Sequence, residues 1–219
     1  MPGNVSDRAL IDSIQARYGS AIFDGVQVIR NTYYSFQTYP TAGSTSFSFF
    51  GDVVGQNGVT KFQTNMKRAN SFSQRMFLIK TIRTLFTLPS STLTAANLSY
   101  DDTMLSLLNN IAANGAHVFA FQIQDKEYLQ VTNPLLYFPF GSGVIASTPK
   151  VEQAVAADQA TSYGVISPRK DDIFMMDPPQ LLESEVTFNM NIDFQTAIPV
   201  PVAGRIGMII DGLEFRPIQ

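Results

Sequence analysis

Residues 186–195 read Val-Thr-Phe-Asn-Met-Asn-Ile-Asp-Phe-Gln. Every second side chain in this stretch is apolar, from Val186 to Phe194, and polar side chains fill the positions between them. Because successive side chains of a β-strand point to opposite faces, the alternation predicts a strand with one buried face. The prediction of the fold starts from this strand.

A second apolar run, residues 205–210, follows a proline-containing link at residues 198–201. It ends at Asp211-Gly212, a pair that favours tight turns, and residues 213–215 then complete the β pattern. The sequence therefore predicts a turn at Asp211-Gly212. These late strands must find their partners far back in the chain.

Several earlier segments are rich in β-branched and aromatic residues, which is the pattern of further strands. The segments are residues 22–29, 32–39, 47–50, 75–88, 119–123, 128–131 and 173–176, the first two being read as separate strands. Residues 75–88 also match a helical stripe, but their Ile, Thr and Phe content favours a strand. Asn57-Gly58 predicts a tight turn, and Pro178-Pro179 are expected to interrupt the strand before them.

Short helices are expected at three places. Ser6 can cap an N-terminal helix whose apolar face includes Ile11, and Gly19 can end it. Residues 100–115 carry a helical stripe that begins at an acidic cap. Thr148-Pro149 favour the start of an Ala-rich helix, inside a long excursion suited to flexibility or a subunit contact.

The number of strands and their long connections indicate the fold class. About eight to ten strands joined by long excursions favour Greek-key or jelly-roll winding over a simple meander. We therefore predict an all-β protein, an antiparallel jelly-roll β-sandwich with short helical insertions. Residues 1–20 are expected to form an N-terminal helix or arm, and residues 21–219 a single jelly-roll domain with an insertion near 141–170.

The composition is low in charge. Charged residues make up 15% of the chain, against roughly 25% in ordinary soluble proteins, whereas apolar residues reach 45%. Ser, Thr, Asn, Gln, Pro and Gly replace the missing charges, and such residues suit loops and subunit contacts, where a charge would have to be desolvated. Two interpretations stay open, a loop-rich surface and large assembly contacts.

Composition also argues against several functions and ligands. The formal net charge is -3 and no basic run exceeds a pair, so direct or sequence-specific binding of nucleic acid is not expected. The absence of cysteine excludes disulfides and thiolate metal sites. No apolar window reaches the length of a membrane span and no secretion signal is visible, which predicts a soluble, non-exported protein.

Candidate catalytic groups are sparse. His117 is the single histidine and stands at the start of a predicted strand, while Asp101-Asp102 and Asp171-Asp172 suit helix caps or solvent better than acid-base work. The glycines of residues 51–58 match turns rather than a phosphate-binding loop. An aromatic group could line a sugar-binding face, although packing is the default; its members are Tyr33, Tyr34, Phe36 and Tyr39. We expect no enzyme active site, no cofactor and no metal.

Three segments carry a resemblance. Residues 62–66 (Phe-Gln-Thr-Asn-Met) precede the strand at 75–83, residues 188–199 form a strand that ends at a proline, and residues 206–219 contain the Asp-Gly pair and an Arg-Pro-Ile-Gln tail. Together they resemble jelly-roll capsid proteins of tailless icosahedral bacteriophages, whose shells often enclose an internal membrane. The matched segments cover about a quarter of the chain.

The resemblance implies a viral structural protein that forms trimers or hexamer-like capsomers and assembles into an icosahedral shell. Its partners would be further copies, other capsid proteins and an internal viral membrane, and its place the virion, after assembly in the host cytoplasm. Capsid proteins of this family with a double jelly roll need two sandwiches, whereas 219 residues supply one, so a single jelly roll is expected and the double form is the alternative.

Two predicted elements supply candidate contact residues. The candidates are Leu10 and Ile14 on the N-terminal helix, and Thr187, Asn189, Asn191 and Asp193 on the polar face of the 186–195 strand. The first alternative function is a jelly-roll module that binds glycans or a receptor on a virion spike or vertex. An enzyme on the same sandwich comes third, and it would need carboxylates that converge from separate strands.

Overall fold

The computed structural model describes residues 7–18, 26–87, 116–132, 143–152, 159–167, 174–200 and 203–218. A helix, α1 (Asp7–Tyr18), precedes the strands. In chain order these are β1 (Val26–Tyr39), β2 (Ser46–Phe49), β3 (Met76–Thr87), β4 (His117–Ile123), β5 (Lys126–Thr132), β6 (Gly143–Glu152), β7 (Gln159–Ser167), β8 (Phe174–Leu182), β9 (Phe188–Phe194) and β10 (Gly204–Pro217).

The strands form two four-stranded sheets and one two-stranded ribbon. The first sheet has the order β1-β10-β3-β8, the second has the order β2-β9-β4-β5, and β6 pairs with β7. All of these pairs are antiparallel. The prediction of an all-β, antiparallel protein is confirmed, and α1 is the one helix within the described residues.

The pairing of the eight sheet strands is nested. β1 pairs with β10, β2 with β9, β3 with β8, and β4 with β5. Each successive pair lies inside the previous one along the chain, down to the short turn between Ile123 and Lys126. Two further pairs, β10 with β3 and β9 with β4, join the nested pairs side by side into the two sheets. As predicted, the late strands pair with partners far back in the sequence.

The two sheets share one core. Its buried side chains come from both sheets, for example Phe77 and Ile210 from the first and Phe119 and Met190 from the second. In β9 the apolar residues are buried and the residues between them are half-buried or exposed, which confirms the predicted alternation. The architecture is therefore sandwich-like, with apolar inner faces packed against one another.

Helix α1 packs on the first sheet away from this core. Phe77 and Ile79 belong to the shared core, so Leu78 between them points to the opposite face. There Leu78 and Leu213 form a second buried cluster that includes Ile14 of α1. The helix thus covers part of the outer face of the first sheet.

The expected turn at Asp211-Gly212 is wrong. β10 runs through both residues without a break, and the register with β3 shifts between them. Asp211 lies on the strand surface, where it accepts a hydrogen bond from the Thr32 hydroxyl and pairs with Arg83 at 2.8 Å. The partners of Asp211 on both neighbouring strands keep Asp211 and Gly212 in the strand, because these contacts together outweigh the local preference of Asp-Gly for a turn.

Three other predictions require correction. The separate strands at 22–29 and 32–39 are one strand, because every residue of β1 faces a residue of β10. The expected helix start at Thr148-Pro149 lies inside β6, where proline can be accommodated because, among the described strands, β6 pairs with β7 alone and so at one edge. Pro178-Pro179 lie within β8 and interrupt its pairing with β3 rather than the strand itself.

Several predictions concern residues outside the described ranges. Among them are the helix at 100–115, the Ser6 cap and the Gly19 stop of the N-terminal helix, and both aspartate pairs. The predicted strand at 75–88 corresponds to β3, and those at 119–123 and 128–131 correspond to β4 and β5. At the expected Asn57-Gly58 turn both residues have positive φ, as a tight turn of this type requires.

Candidate functional site

The most unusual polar group in the described structure is the carboxylate of Glu214. It lies on β10, where Ile206, Met208 and Ile210 at alternate positions face the shared core. The same two-residue period brings residue 214 to the inner side of the strand. Its exposed fraction is 0%, so a carboxylate takes a place that the strand pattern would otherwise give to an apolar side chain.

Donors from two strands, β1 and β10, and from the loop before β3 surround this carboxylate. The Tyr33 hydroxyl donates to Oε2 at 2.8 Å, and the side-chain amide of Asn31 donates to the same oxygen. Arg75 Nη1 donates to Oε1 at 2.9 Å. Arg216 Nε donates to Oε1 at 2.6 Å and its Nη2 to Oε2 at 3.2 Å. Both oxygens are thus satisfied, two of the partners being cations.

These contacts set the ionisation of the cluster. Burial alone would raise the pKa of Glu214, but hydrogen bonds from Arg216, Asn31 and Tyr33 together with the charge of Arg216 lower it to about 2. Burial, followed by the hydrogen bond to Glu214, raises the pKa of Tyr33 to about 12. The carboxylate is therefore ionised and the phenol neutral near neutral pH, so neither is poised to exchange a proton there.

A groove opens beside the cluster. Two cavities, of about 380 Å³ and about 630 Å³, share the lining residues Lys67, Ser73, Arg75 and Arg216. Arg68 also lines the smaller cavity and forms an exposed ion pair with Glu185. No acidic residue of the described structure lines either cavity, so the groove wall is cationic.

The Thr-Asn-Met segment that carried part of the resemblance lies along the edge of β1. Asn65 accepts a hydrogen bond from the Tyr34 amide at 3.0 Å and donates one to the Thr32 carbonyl at 2.8 Å. Thr64 forms an isolated bridge with Ser35. The segment therefore satisfies the edge of β1 as a short strand would, which protects an edge from pairing with other chains.

The structure places the predicted polar contact residues along one line. Asn189, Asn191 and Asp193 alternate with the buried residues of β9 and share the outer face of the second sheet, and the exposed Thr187 directly precedes this strand. Asn189 Oδ1 accepts a hydrogen bond from the side-chain amide of Asn70 at 2.8 Å, and Asp193 accepts one from the Ser46 hydroxyl. Asn191 Oδ1 is buried and has no hydrogen-bond partner in the described structure.

The two candidates on the helix have different outcomes. Ile14 is 8% exposed and packs against Leu78, Leu213 and Phe215 of its own chain. Its side chain is therefore occupied inside the subunit. Leu10 belongs to the same helix, but its side chain lies outside the described part of the structure.

The structure also places His117 and the four aromatic residues that the sequence singled out. His117 begins β4, is 1% exposed and stacks on Phe194 with ring centroids 5.0 Å apart. The aromatic group is divided between faces, because Tyr33 and Tyr39 are buried in the core whereas Tyr34 and Phe36 are half-buried on the other side of β1. It does not form one binding face.

The described part of the chain shows neither a metal-binding cluster nor a membrane-spanning helix. The described residues contain no group of three or more His, Cys, Asp or Glu placed to hold a metal ion. None of the helices in the described ranges combines the length and apolarity needed to cross a membrane.

Sequence reasoning did not find the Glu214 cluster. One signal was present, since Glu214 continues the alternate positions occupied by Ile206, Met208 and Ile210. An acid in an apolar register indicates a buried, partnered charge. The identity of the partners could not be read locally, because Asn31 is 183 positions away.

Comparison with known proteins does not place the chain in a family. No protein-family model, curated protein or solved structure matches it.

Proposed function

We propose that this protein is a structural subunit with a jelly-roll fold, a capsid protein that assembles through lateral contacts into an icosahedral shell. The observation that carries the proposal is the nested pairing of β1 with β10, β2 with β9, β3 with β8 and β4 with β5. A jelly roll is a pair of four-stranded sheets wound from eight strands, and this architecture serves in viral capsid and lectin domains. The strand order supports that winding.

The outer face of the second sheet supports lateral contact. On β2, β9 and β4 the outward positions are those that alternate with buried Phe47, Phe119 and Met190. These positions are Ser46, Ser48, Val118, Ala120, Gln122, Asn189, Asn191 and Asp193. Asp193 is the one charge among them, so little charge would have to be desolvated when a second surface covers this part of the face, formed by β2, β9 and β4.

Asn191 lies at the centre of this surface. Its neighbours across the strands are Ser48 and Ala120, both small, and its Oδ1 has no partner among the described residues. A buried polar atom without a hydrogen bond is costly, and rotation of the Asn191 amide towards a donor on a neighbouring subunit would remove that cost. This supports the choice of the face as a subunit contact.

The proposal is tested by the size of the purified protein. Analytical ultracentrifugation and electron microscopy over a range of concentrations should give trimers or larger closed assemblies, made of identical copies related by symmetry. A protein that stays strictly monomeric at high concentration would contradict it.

A glycan- or receptor-binding module on a virion spike is the second candidate. The same winding is used by lectin domains, and Phe62 is 81% exposed on the long excursion before β3. An exposed aromatic ring can stack on a sugar or fill a pocket of a protein partner. Reproducible hits on a glycan array, lost in Phe62→Ala, together with no self-assembly would favour this candidate over the first.

A further inference from the structure

We propose that the cationic groove beside Glu214, lined by Lys67, Ser73, Arg75 and Arg216, is a binding site for a phosphate group. This function is separate from assembly and does not depend on it. Inorganic phosphate and pyrophosphate are the simplest ligands that carry a phosphate group, and they serve as probes.

The groove concentrates positive side chains. Lys67, Arg68, Arg75 and Arg216 all line it, and no acidic residue of the described chain does so. The whole protein is acidic, with a formal net charge of -3, so a wall with this composition is a local exception. Concave cationic surfaces with low-dielectric walls concentrate anions.

The buried carboxylate does not cancel the positive charge of the groove. Glu214 contributes one negative charge, and two guanidinium groups, those of Arg75 and Arg216, share it. Lys67 forms no ion pair among the described residues. A net positive charge is left at the groove, where the Arg75 and Arg216 side chains are 23% and 43% exposed.

The two arginines of the groove are pre-organised. Glu214 holds both guanidinium groups through hydrogen bonds of 2.6–3.2 Å, and Arg75 Nε also donates to the Ser73 carbonyl at 3.4 Å. An arginine that is already fixed loses little conformational entropy when it binds an anion. The donors Arg75 Nη2 and Arg216 Nη1 have no partner in the described structure and remain available.

The shape and the neutral donors favour phosphate. A cavity of about 380 Å³ that joins one of about 630 Å³ is larger than one phosphate group needs and can also hold a diphosphate. Side chains that can donate further hydrogen bonds line the same walls, among them Ser73, Gln27 and Gln74. Phosphate and carboxylate both bind arginine in a bidentate manner, but phosphate offers more acceptor oxygens for the remaining donors of the groove.

Lys67→Glu and Lys61→Glu form the matched pair for the test. Lys67 lines both cavities and is exposed, so its replacement reverses a charge at the groove without removing a partner of Glu214. Lys61 is also exposed, lies on the same excursion and lines neither cavity. The two variants therefore change the net charge equally at different places.

The experiment is isothermal titration calorimetry of the full chain with pyrophosphate and with inorganic phosphate, at constant ionic strength. We expect saturable binding, at least about tenfold weaker in Lys67→Glu and changed less than about threefold in Lys61→Glu. Circular dichroism verifies that both variants are folded. Absence of saturable binding to wild type, or equal weakening in both variants, would overturn the proposal.

A citrate titration separates phosphate recognition from a general preference for polyanions. Citrate has a similar total charge, but each of its carboxylates offers fewer acceptor oxygens than a phosphate group, so citrate is expected to bind more weakly than pyrophosphate. Equal or tighter binding of citrate would show that the groove selects charge and not phosphate, which would overturn the assignment. Assembly is measured in the same samples. Phosphate binding is expected whether or not the protein assembles, so the two proposals can fail independently.

Discussion

Gly212 crosses the backbone of Leu78 so closely that a Cβ atom added to the glycine would lie 1.8 Å from the Leu78 carbonyl oxygen. The contact falls where the register between β10 and β3 shifts. Glycine is required here for close approach of two strands and not for a turn.

The first prediction concerns this contact. Gly212→Ala should lower the free energy of unfolding by about 3 kcal/mol or more, because the atom in the way is backbone and cannot rotate aside. Gly51→Ala is the control, since its Cβ would meet only the Asn70 side chain at 3.7 Å. Denaturant unfolding should show at most about 1 kcal/mol of change for the control. Equal stability of the two variants would contradict the close approach.

The second prediction concerns the buried charge cluster. Glu214→Gln removes the anion that Arg75 and Arg216 share and should destabilise the fold by about 3 kcal/mol. The exposed Glu183→Gln should change the unfolding free energy by no more than about 0.5 kcal/mol. Urea denaturation at neutral pH measures both. A neutral effect of Glu214→Gln would mean that the ion pairs contribute nothing net.

The third prediction is a pH dependence. The pKa of Glu214 falls from 4.5 to about 2 on folding, so the unfolded chain binds more protons than the folded chain between these values. Its contribution to stability is therefore complete above pH 4.5 and is lost as the pH falls towards about 2. Unfolding free energies measured over this range should decline more steeply for wild type than for Glu214→Gln. Parallel curves would contradict the assignment.

The fourth prediction concerns the covered edge of β1. Asn65→Ala removes the two hydrogen bonds to Tyr34 and Thr32 and should cost about 1–3 kcal/mol, because backbone groups of an edge strand lose their partner. Hydrogen exchange should show faster exchange at the Tyr34 amide. Gln56→Ala, an exposed change on the same excursion, is the control and should leave that amide protected.

The fifth prediction concerns assembly. Asn191→Lys puts a charge at the centre of the outer face of the second sheet and should impair assembly while the subunit stays folded, since an interface would have to desolvate the ammonium group. Gln56→Lys makes the same addition of charge at an exposed loop position and should assemble normally. Sedimentation velocity separates the two cases. Normal assembly of Asn191→Lys would refute this face as the contact.

The sequence predicted elements well where a pattern repeats along one strand. The alternation from Phe188 to Phe194 needs no partner to be recognised, because burial on one face is recorded in every second residue. Asp211-Gly212 is predicted wrongly because the partners of Asp211 that keep the pair in a strand, Thr32 and Arg83, lie elsewhere in the chain. The groove could not be recognised for the same reason, since Arg216 lies more than half of the chain away from Lys67 and Arg75.

The position of β10 has a consequence for how the chain acquires its structure. β10 lies between β1 and β3 and follows every other described strand in the sequence, so the first sheet cannot close until it has been synthesised. Contacts of such long sequence separation form slowly, and the unpaired strands are exposed to misassociation in the meantime. On the ribosome this sheet can therefore form only after β10 has been made, and until then β1 and β3 lack the strand that lies between them.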